Sequence, residues 1–266
     1  MRISGINSWF SFRLPIIERL KMIKDAGFEA TSLWWAEEGS SKQPDMARKI
    51  GLEIDNVHAP FHNPDALWYE GIEGDDYRDA VIECINSAYM HCVPTVVVHL
   101  TSFGKEAPVT DFGITRVGRI VNAAEIANVN VAFENLNSLA HLQEVFNRYD
   151  SPFVGFCYDS GHENWNHRDA NVLTMFADRL VALHLNDNFG DGDAHLLPYD
   201  GNINWAQTIQ MLNSKALRFF SLEVDYERER GENSPYKNMA PEVFLQQAYE
   251  KTARLISMYN KPIGGK

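Results

Sequence analysis

The stretch from Leu183 to Trp205, LHLNDNFGDGDAHLLPYDGNINW, gathers side chains of the kinds that bind metals. An apolar run, Leu180-Val181-Ala182-Leu183, stops at His184, and Asn186, Asp187 and Asn188 follow, so a strand is expected to end there in a polar loop. Within that loop Asp193 and His195 stand two apart, and Gly190, Gly192 and Gly201 are expected to let the backbone turn both side chains inward. Imidazole and carboxylate together suit a divalent cation. The same residue types follow other apolar runs: His58 in VHAPF, His99 in VVVHL, Glu134 in VAFENL, Asp159 and His162 in YDSGH, and Glu223 in SLEVD. Singly, each has an ordinary structural explanation, as a hydrogen-bonded imidazole or half of an ion pair. Converging on one place, they would repel or lose solvation unless a cation held them. His62, His91, His141 and His167 fall on expected helices or loop tips and are read as solvated or structural.

These positions meet if the apolar runs are strands of one barrel, whose catalytic groups come from the C-terminal strand ends. The alternation supports this. Ile3 to Ile6 reads as a strand, and Pro15 to Ala26 as a helix, with Ile16, Ile17, Leu20 and Ile23 at helical spacing and Gly27 as its stop. Strands are then expected at Glu29–Trp34, Glu53–Val57, Pro94–Val98, Val129–Phe133, Phe153–Tyr158, Leu180–Leu183 and Phe219–Val224. Between and after them fall helices at Lys42–Ile50, Asp75–His91, Ile114–Ala127, Leu139–Tyr149, Arg168–Asp178, Trp205–Leu212 and Pro241–Tyr259. Eight strand-helix units without a low-complexity linker predict an α/β fold, a (β/α)8 TIM barrel, as a single domain over residues 1–266. A doubly wound sheet is disfavoured because no glycine-rich phosphate loop follows the first strand.

With 266 residues and 45% hydrophobic content the chain can bury a large core. Its 24 basic and 36 acidic residues leave a net charge of -12, which argues against nucleic acid or an anionic membrane as partner. Three cysteines, Cys84, Cys92 and Cys157, have no paired spacing, and MRISGINSWF lacks a signal-peptide pattern, so a cytoplasmic protein is expected. The basic residues nearest expected loops, Arg13, Lys105, Arg116 and Lys237, form no bidentate phosphate clamp, which favours an unphosphorylated substrate. The charged segment Tyr226 to Asn238 is long enough for a lid or for the interface of a homo-oligomer.

ENL at Glu134, DSGH from Asp159 to His162, HLND from His184 to Asp187, DAHLLPYDGNINW from Asp193 to Trp205 and LEV around Glu223 resemble the xylose-isomerase-like TIM-barrel superfamily, over nearly the whole chain. That superfamily includes sugar and sugar-phosphate isomerases and epimerases, and zinc-dependent apurinic/apyrimidinic endonucleases. Resemblance to the epimerases implies that Glu134, Asp159, His184 and Glu223 bind a divalent metal. It also implies that Glu134 and Glu223 abstract and return a proton on opposite faces of the substrate, and that His162 binds the oxygen where charge develops. The implied reaction is isomerisation or epimerisation of a small sugar, inosose or hydroxylated keto acid through a metal-stabilised enediolate. Resemblance to the endonucleases implies a zinc phosphodiesterase with His58, His99, His162, Asp193 and His195 as additional ligands, although ISGINSWF lacks the histidine expected in that branch's first strand. A barrel that binds a metal or sugar acid without turnover is a third reading. An oxygen-rich site suits Mn2+ and an imidazole-rich one Zn2+, with Mg2+ and Co2+ as further options. Trp34, Phe61 and His195 are the expected substrate contacts, with Trp9 and Trp35 as further pocket or rim residues.

Overall fold

The alternating pattern becomes a ring of parallel strands wrapped by helices in a computed structural model, which describes residues 2–35, 37, 39–104, 107–213, 215–227 and 235–260. In chain order these are β1 (Ile3–Asn7), α1 (Ile16–Asp25), β2 (Ala30–Trp34), α2 (Gln43–Ile50), β3 (Glu53–His58), α3 (Ile72–Met90), β4 (Thr95–Val98), α4 (Asp111–Ala127) and β5 (Asn130–Glu134). There follow α5 (Leu139–Arg148), β6 (Val154–Asp159), α6 (Ser160–Asn166), α7 (Val172–Met175), β7 (Leu180–His184), α8 (Trp205–Leu212), β8 (Phe219–Leu222) and α9 (Pro241–Tyr259). The strand order is β7-β6-β5-β4-β3-β2-β1-β8. The two ends of that order meet at a bridge between Leu185 and Leu222. There the Leu185 N–H donates to the Ser221 carbonyl at 3.0 Å and the Glu223 N–H to the Leu185 carbonyl at 3.1 Å. The architecture is the (β/α)8 TIM barrel expected from the sequence.

Strands buried on both faces have to be apolar along their length, and all four residues of β4 are buried. Outward residues such as Ile6, Leu33, Val57, Val96 and Phe133 join helix residues such as Leu20, Ile85, Val117, Val145 and Leu245 in the main core. The barrel interior is divided. Val97, Ala132, Cys157 and Ala182, from β4 to β7, form a small apolar cluster of their own, each two residues before a strand-end polar residue. Across the barrel the Ser221 hydroxyl donates to Asp55 at 2.5 Å, and Asn56 Nδ2 donates to the same carboxylate at 3.2 Å. A Cβ at Gly5 would collide with Ser221 Oγ, so the bare backbone of β1 makes room for that bond. A register shift against β2 puts an extra residue on β3 at this point.

The expected helix over Arg168–Asp178 is replaced. Helix α6 starts directly at the end of β6, capped by Asp159, and a left-handed Asn171 (φ 50) separates it from the single turn of α7. Helix α3 begins three residues earlier than expected, after a 3-10 turn at Pro64–Trp68 that the sequence did not suggest. Arg116 organises that turn by donating to the carbonyls of Leu67 (2.9 Å) and Gly71 (2.7 Å), a structural role for a residue read as loop-proximal. Among the described residues no helix is long and apolar enough to cross a membrane. Lys105, and residues 228–234 of the expected lid or interface segment, lie outside the described residues.

Candidate metal centre

Six of the eight strands, β3 to β8, bring a histidine or carboxylate to one end of the barrel. His58, Glu134, Asp159 and His184 are the last residues of β3, β5, β6 and β7, while His99 and Glu223 directly follow β4 and β8. In the deepest group one ligand atom from each of Glu134, Asp159, His184 and Glu223 lies within 4.8 Å of the others. His184 Nδ1 sits between two carboxylates, 3.2 Å from Glu134 Oε1 and 3.1 Å from Glu223 Oε2. A second group is built on the other oxygen of Glu134: Oε2 is 3.4 Å from His58 Nε2 and 3.2 Å from His99 Nε2. A third lies nearer the rim, where Asp193 Oδ1 is 3.3 Å from His162 Nε2 and 3.0 Å from His195 Nε2. The structure therefore brings together all nine residues singled out as catalytic or ligating.

Supporting hydrogen bonds fix which nitrogen faces inward. The Nδ1 atoms of His58, His162 and His195 lie 2.7, 2.9 and 2.8 Å from the carbonyls of Ala59, Asn135 and Glu223, so each donates there and keeps Nε2 for the site. Asp159 accepts from Asn186 Nδ2 at 2.7 Å and from the His162 N–H at 2.7 Å. Asn135 pairs with the Asp159 backbone in both directions, at 2.8 Å each. The glycine of DSGH has a steric reason: a Cβ at Gly161 would strike Asn186 Oδ1.

The loop carrying Asp193 and His195 hangs on Asp187. This fully buried carboxylate accepts from the N–H groups of Asn188 (3.0 Å), Ile203 (3.1 Å) and Tyr199 (2.9 Å) and from Trp205 Nε1 (2.8 Å). The glycine expectation needs correction. Gly190 does take a left-handed conformation (φ 80), but the other left-handed turns are made by His195 (φ 48) and Tyr199 (φ 73). Gly192 lies in open space, and Gly201 is needed because a Cβ would meet the Asn188 carbonyl and the Asp187 carboxylate. Asp187, Asn135 and Asn186 were not singled out as site residues. Their signal was a polar residue within a few positions of each ligand, inside otherwise buried sequence.

Burial opposes charge on every one of these groups, and their mutual attraction decides the outcome. Burial pushes Asp159 up to about 7, assisted by the Glu134 and Glu223 carboxylates against the pull of His162. Burial also raises Glu223, but His184 outweighs it and holds the carboxyl down to about 2. Burial disfavours the charged rings of His162 and His195, yet the surrounding carboxylates, led by Asp159 and Asp193 respectively, lift them to about 9 and about 10. Among the described residues, the cations paired with Glu134, Asp159 and Glu223 are all imidazoles. Clustered carboxylates with imidazoles turned inward by backbone bonds form a donor set that fits a divalent cation.

Above the ligands opens a cavity of about 440 Å3, which Trp9, Phe12, Trp34, Phe61 and Phe103 line together with the rim histidines. Trp34, Phe61 and His195, the expected substrate contacts, line this cavity, whereas Trp35 packs against the core. His62 is exposed, His91 is half-buried beside Asp45, and His141 is buried against Trp68 and paired with Ser138. His167 bonds the Leu136 carbonyl at 2.7 Å.

Over 85 residues the chain is 47% identical to the uncharacterised protein y4fM of Sinorhizobium fredii, a match covering 29% of this chain and 27% of that protein. Over 180 residues it is 26% identical to the uncharacterised protein MJ1311 of Methanocaldococcus jannaschii, covering 59% of each. The chain therefore spans less than two thirds of the length of either relative. Among solved structures it resembles D-psicose 3-epimerase with D-tagatose from Clostridium cellulolyticum H10, with a TM-score of 0.79 and 12% identity over 97% of this chain and 100% of that one. It also resembles a D-tagatose 3-epimerase-like protein, with a TM-score of 0.75 and 20% identity over 98% and 100%. An IolI protein with a bound zinc atom gives a TM-score of 0.77 and 14% identity over 97% and 99%. At these identities the likeness is one of fold. The model of the xylose isomerase-like TIM barrel family, however, matches residues 20–246, and the chain belongs to that family.

Proposed function

We propose that this protein is a divalent-metal-dependent isomerase or epimerase acting on a small carbohydrate, a sugar, an inosose or a hydroxylated keto acid. The observation that carries the reading is the pair of buried carboxylates, Glu134 and Glu223, on either side of His184 Nδ1 beneath the cavity. The neighbouring folds of D-psicose 3-epimerase, a D-tagatose 3-epimerase-like protein and zinc-bound IolI support it. Glu134, Asp159, His184 and Glu223 would hold the metal, Mn2+ or Zn2+ in the first instance, with Mg2+ and Co2+ as alternatives. Such an ion supplies Lewis-acid polarisation of a carbonyl and its neighbouring hydroxyl, which acidifies the C–H between them.

The chain's own groups supply the proton transfers. The surrounding imidazoles hold Glu134 and Glu223 below the usual carboxylate range, so both are ionised and able to accept a proton. Either carboxylate can take the carbon-bound proton, and the other, once it has itself taken up a proton from solvent, returns that proton to the opposite face. His162, lifted to about 9, presents a protonated ring to the substrate oxygen on which charge develops. The aromatic walls exclude water that would compete for these groups. Glu134→Gln is expected to abolish exchange of the substrate's carbon-bound proton with deuterated solvent while metal stays bound. Retained exchange would remove Glu134 as the base.

A second reading has its own observation. The two oxygens of Glu134 face separate groups, and His162, Asp193 and His195 make a third, an arrangement that could hold two or three metals for phosphodiester hydrolysis, as in a zinc endonuclease. Metal analysis of protein purified without chelator separates the two. About one ion per chain supports the epimerase. Two or three tightly held zinc ions would turn attention to cleavage at abasic sites.

A further inference from the structure

Glu134 and His184 also belong to a group with a different third member. One ligand atom from each of Glu134, Cys157 and His184 lies within 4.8 Å of the others. Cys157 is on β6, two residues before Asp159, and its Cα partners are Glu134 on β5 and Ala182 on β7. In-register residues of parallel strands point to one face, so the thiol enters the barrel beside the Glu134 carboxylate. The rest of its layer, Val97, Ala132 and Ala182, is apolar, which leaves the sulfur as the one soft donor there.

The His184 ring gives a second, independent sign. The rings of His58, His162 and His195 are each fixed by a backbone carbonyl. No carbonyl does this for His184: its Nε2 is buried without an oxygen partner, and apart from the carboxylates at Nδ1 the side chain within hydrogen-bonding range of the ring is Cys157. A ligating imidazole normally gives its second nitrogen to an oxygen acceptor, so this buried nitrogen is left for another use.

We propose that Glu134, Cys157 and His184 form a second metal position, selective for thiophilic divalent ions such as Cd2+ and Zn2+, which competes with the oxygen-rich position of Glu134, Asp159, His184 and Glu223. The competition rests on the metal-dependent reading of the oxygen-rich set. Both sets draw on His184, and a neutral imidazole offers one lone pair, so an ion in one position excludes an ion from the other. Binding at the thiol breaks the S–H bond: the sulfur donates the electron pair to the ion, and the proton leaves to solvent. Hard ions such as Mn2+ and Mg2+ gain little from sulfur and stay with the carboxylates. Metal preference is then set in part by a fully buried residue of the barrel interior.

The test uses the full chain in a Cys92→Ser background, which removes the exposed thiol, stripped of metal and titrated with Cd2+ or Mn2+. Cd2+ is expected to raise a sulfur-to-cadmium charge-transfer absorption in the ultraviolet and to displace bound Mn2+ in electron paramagnetic resonance. Adding Cys157→Ala is expected to abolish the band and weaken Cd2+ binding at least about tenfold, while Mn2+ affinity stays within about twofold. Cys157→Ser, which keeps the volume and loses the soft donor, is expected to do the same, and the band itself is read on protein with Cys157 in place. No band, a band that survives both substitutions, or Cd2+ that binds without displacing Mn2+ overturns the proposal. An equal fall in affinity for the two ions also overturns it, because Cys157 would then act through packing alone. Exchange of a ketose's carbon-bound proton with solvent is followed in parallel on the Mn2+ form. Its absence, with the band and the displacement intact, defeats the isomerase reading and leaves the sulfur position standing.

Discussion

The two sides of the metal-binding mouth are built by different means. His58, His99 and Glu134 stand at or just after the ends of adjacent parallel strands, so the barrel's backbone hydrogen bonds place them. His162, Asp193 and His195 come from the first turn of a short helix and from a long loop, and their placement depends on side chains: the Asp159 cap, Asn186 and the buried Asp187. One side inherits its geometry from the fold, and the other has to assemble it.

Asp187→Ala tests that distinction most severely. Four donors would lose their acceptor at once, two of them on loop residues Tyr199 and Ile203, and a loss of about 4 kcal/mol in chemical denaturation is expected. Metal held by the loop side should be lost while that on the strand side persists. Equal loss on both sides would break the comparison. Gly201→Ala acts on the same loop through sterics, forcing a Cβ against the Asn188 carbonyl and the Asp187 carboxylate, and should cost about 3 kcal/mol.

On the strand-built side the corresponding probe is Asp55, below the ligands on β3. Burial raises it from 3.8 to about 6, with Ser221, His184 and Asn56 only partly offsetting the effect. A carboxyl whose folded pKa lies above its unfolded one favours the folded state when protonated, so its contribution is present below pH 3.8 and lost as pH rises to about 6. Metal-free Asp55→Asn should therefore gain about 2 kcal/mol on the wild type between pH 4 and pH 7. A pH-independent difference would show that Asp55 titrates normally. The smallest effect is expected at Gly192→Ala, within about 0.5 kcal/mol, because nothing lies near the added methyl and the backbone is not left-handed.

The same contrast explains what could be read from the chain. An apolar run of four or five residues that ends abruptly in His or Glu needs only the parallel-strand rule to place its terminus, so His58, His99, Glu134, Asp159, His184 and Glu223 were legible one strand at a time. The loop was legible in composition but not in mechanism. Its glycines drew attention, yet left-handed turns fall on His195 and Tyr199, where side-chain bonds to distant residues outweigh local preference. The helix expected after β6 failed for a related reason: the Asp159 carboxylate starts a helix at the strand's own end. The half-exposed Phe12 and Phe103 gave no signal, because exposure of an aromatic on a loop is set by what the loop packs against.

The ring of strands is closed last in sequence and most thinly, since β7 and β8 share only a bridge at Leu185 and Leu222. Contacts of the site straddle this seam, with His184 facing Glu223, the His195 ring bonded to the Glu223 carbonyl, and the Asp225 N–H returned to the His195 carbonyl. An ion shared by His184 and Glu223 would then act as a rivet between the two halves of the closing step. Amide exchange at Leu185 and Glu223 would report it, slowing on metal loading more than exchange in the β4–β5 pair on the far side of the ring.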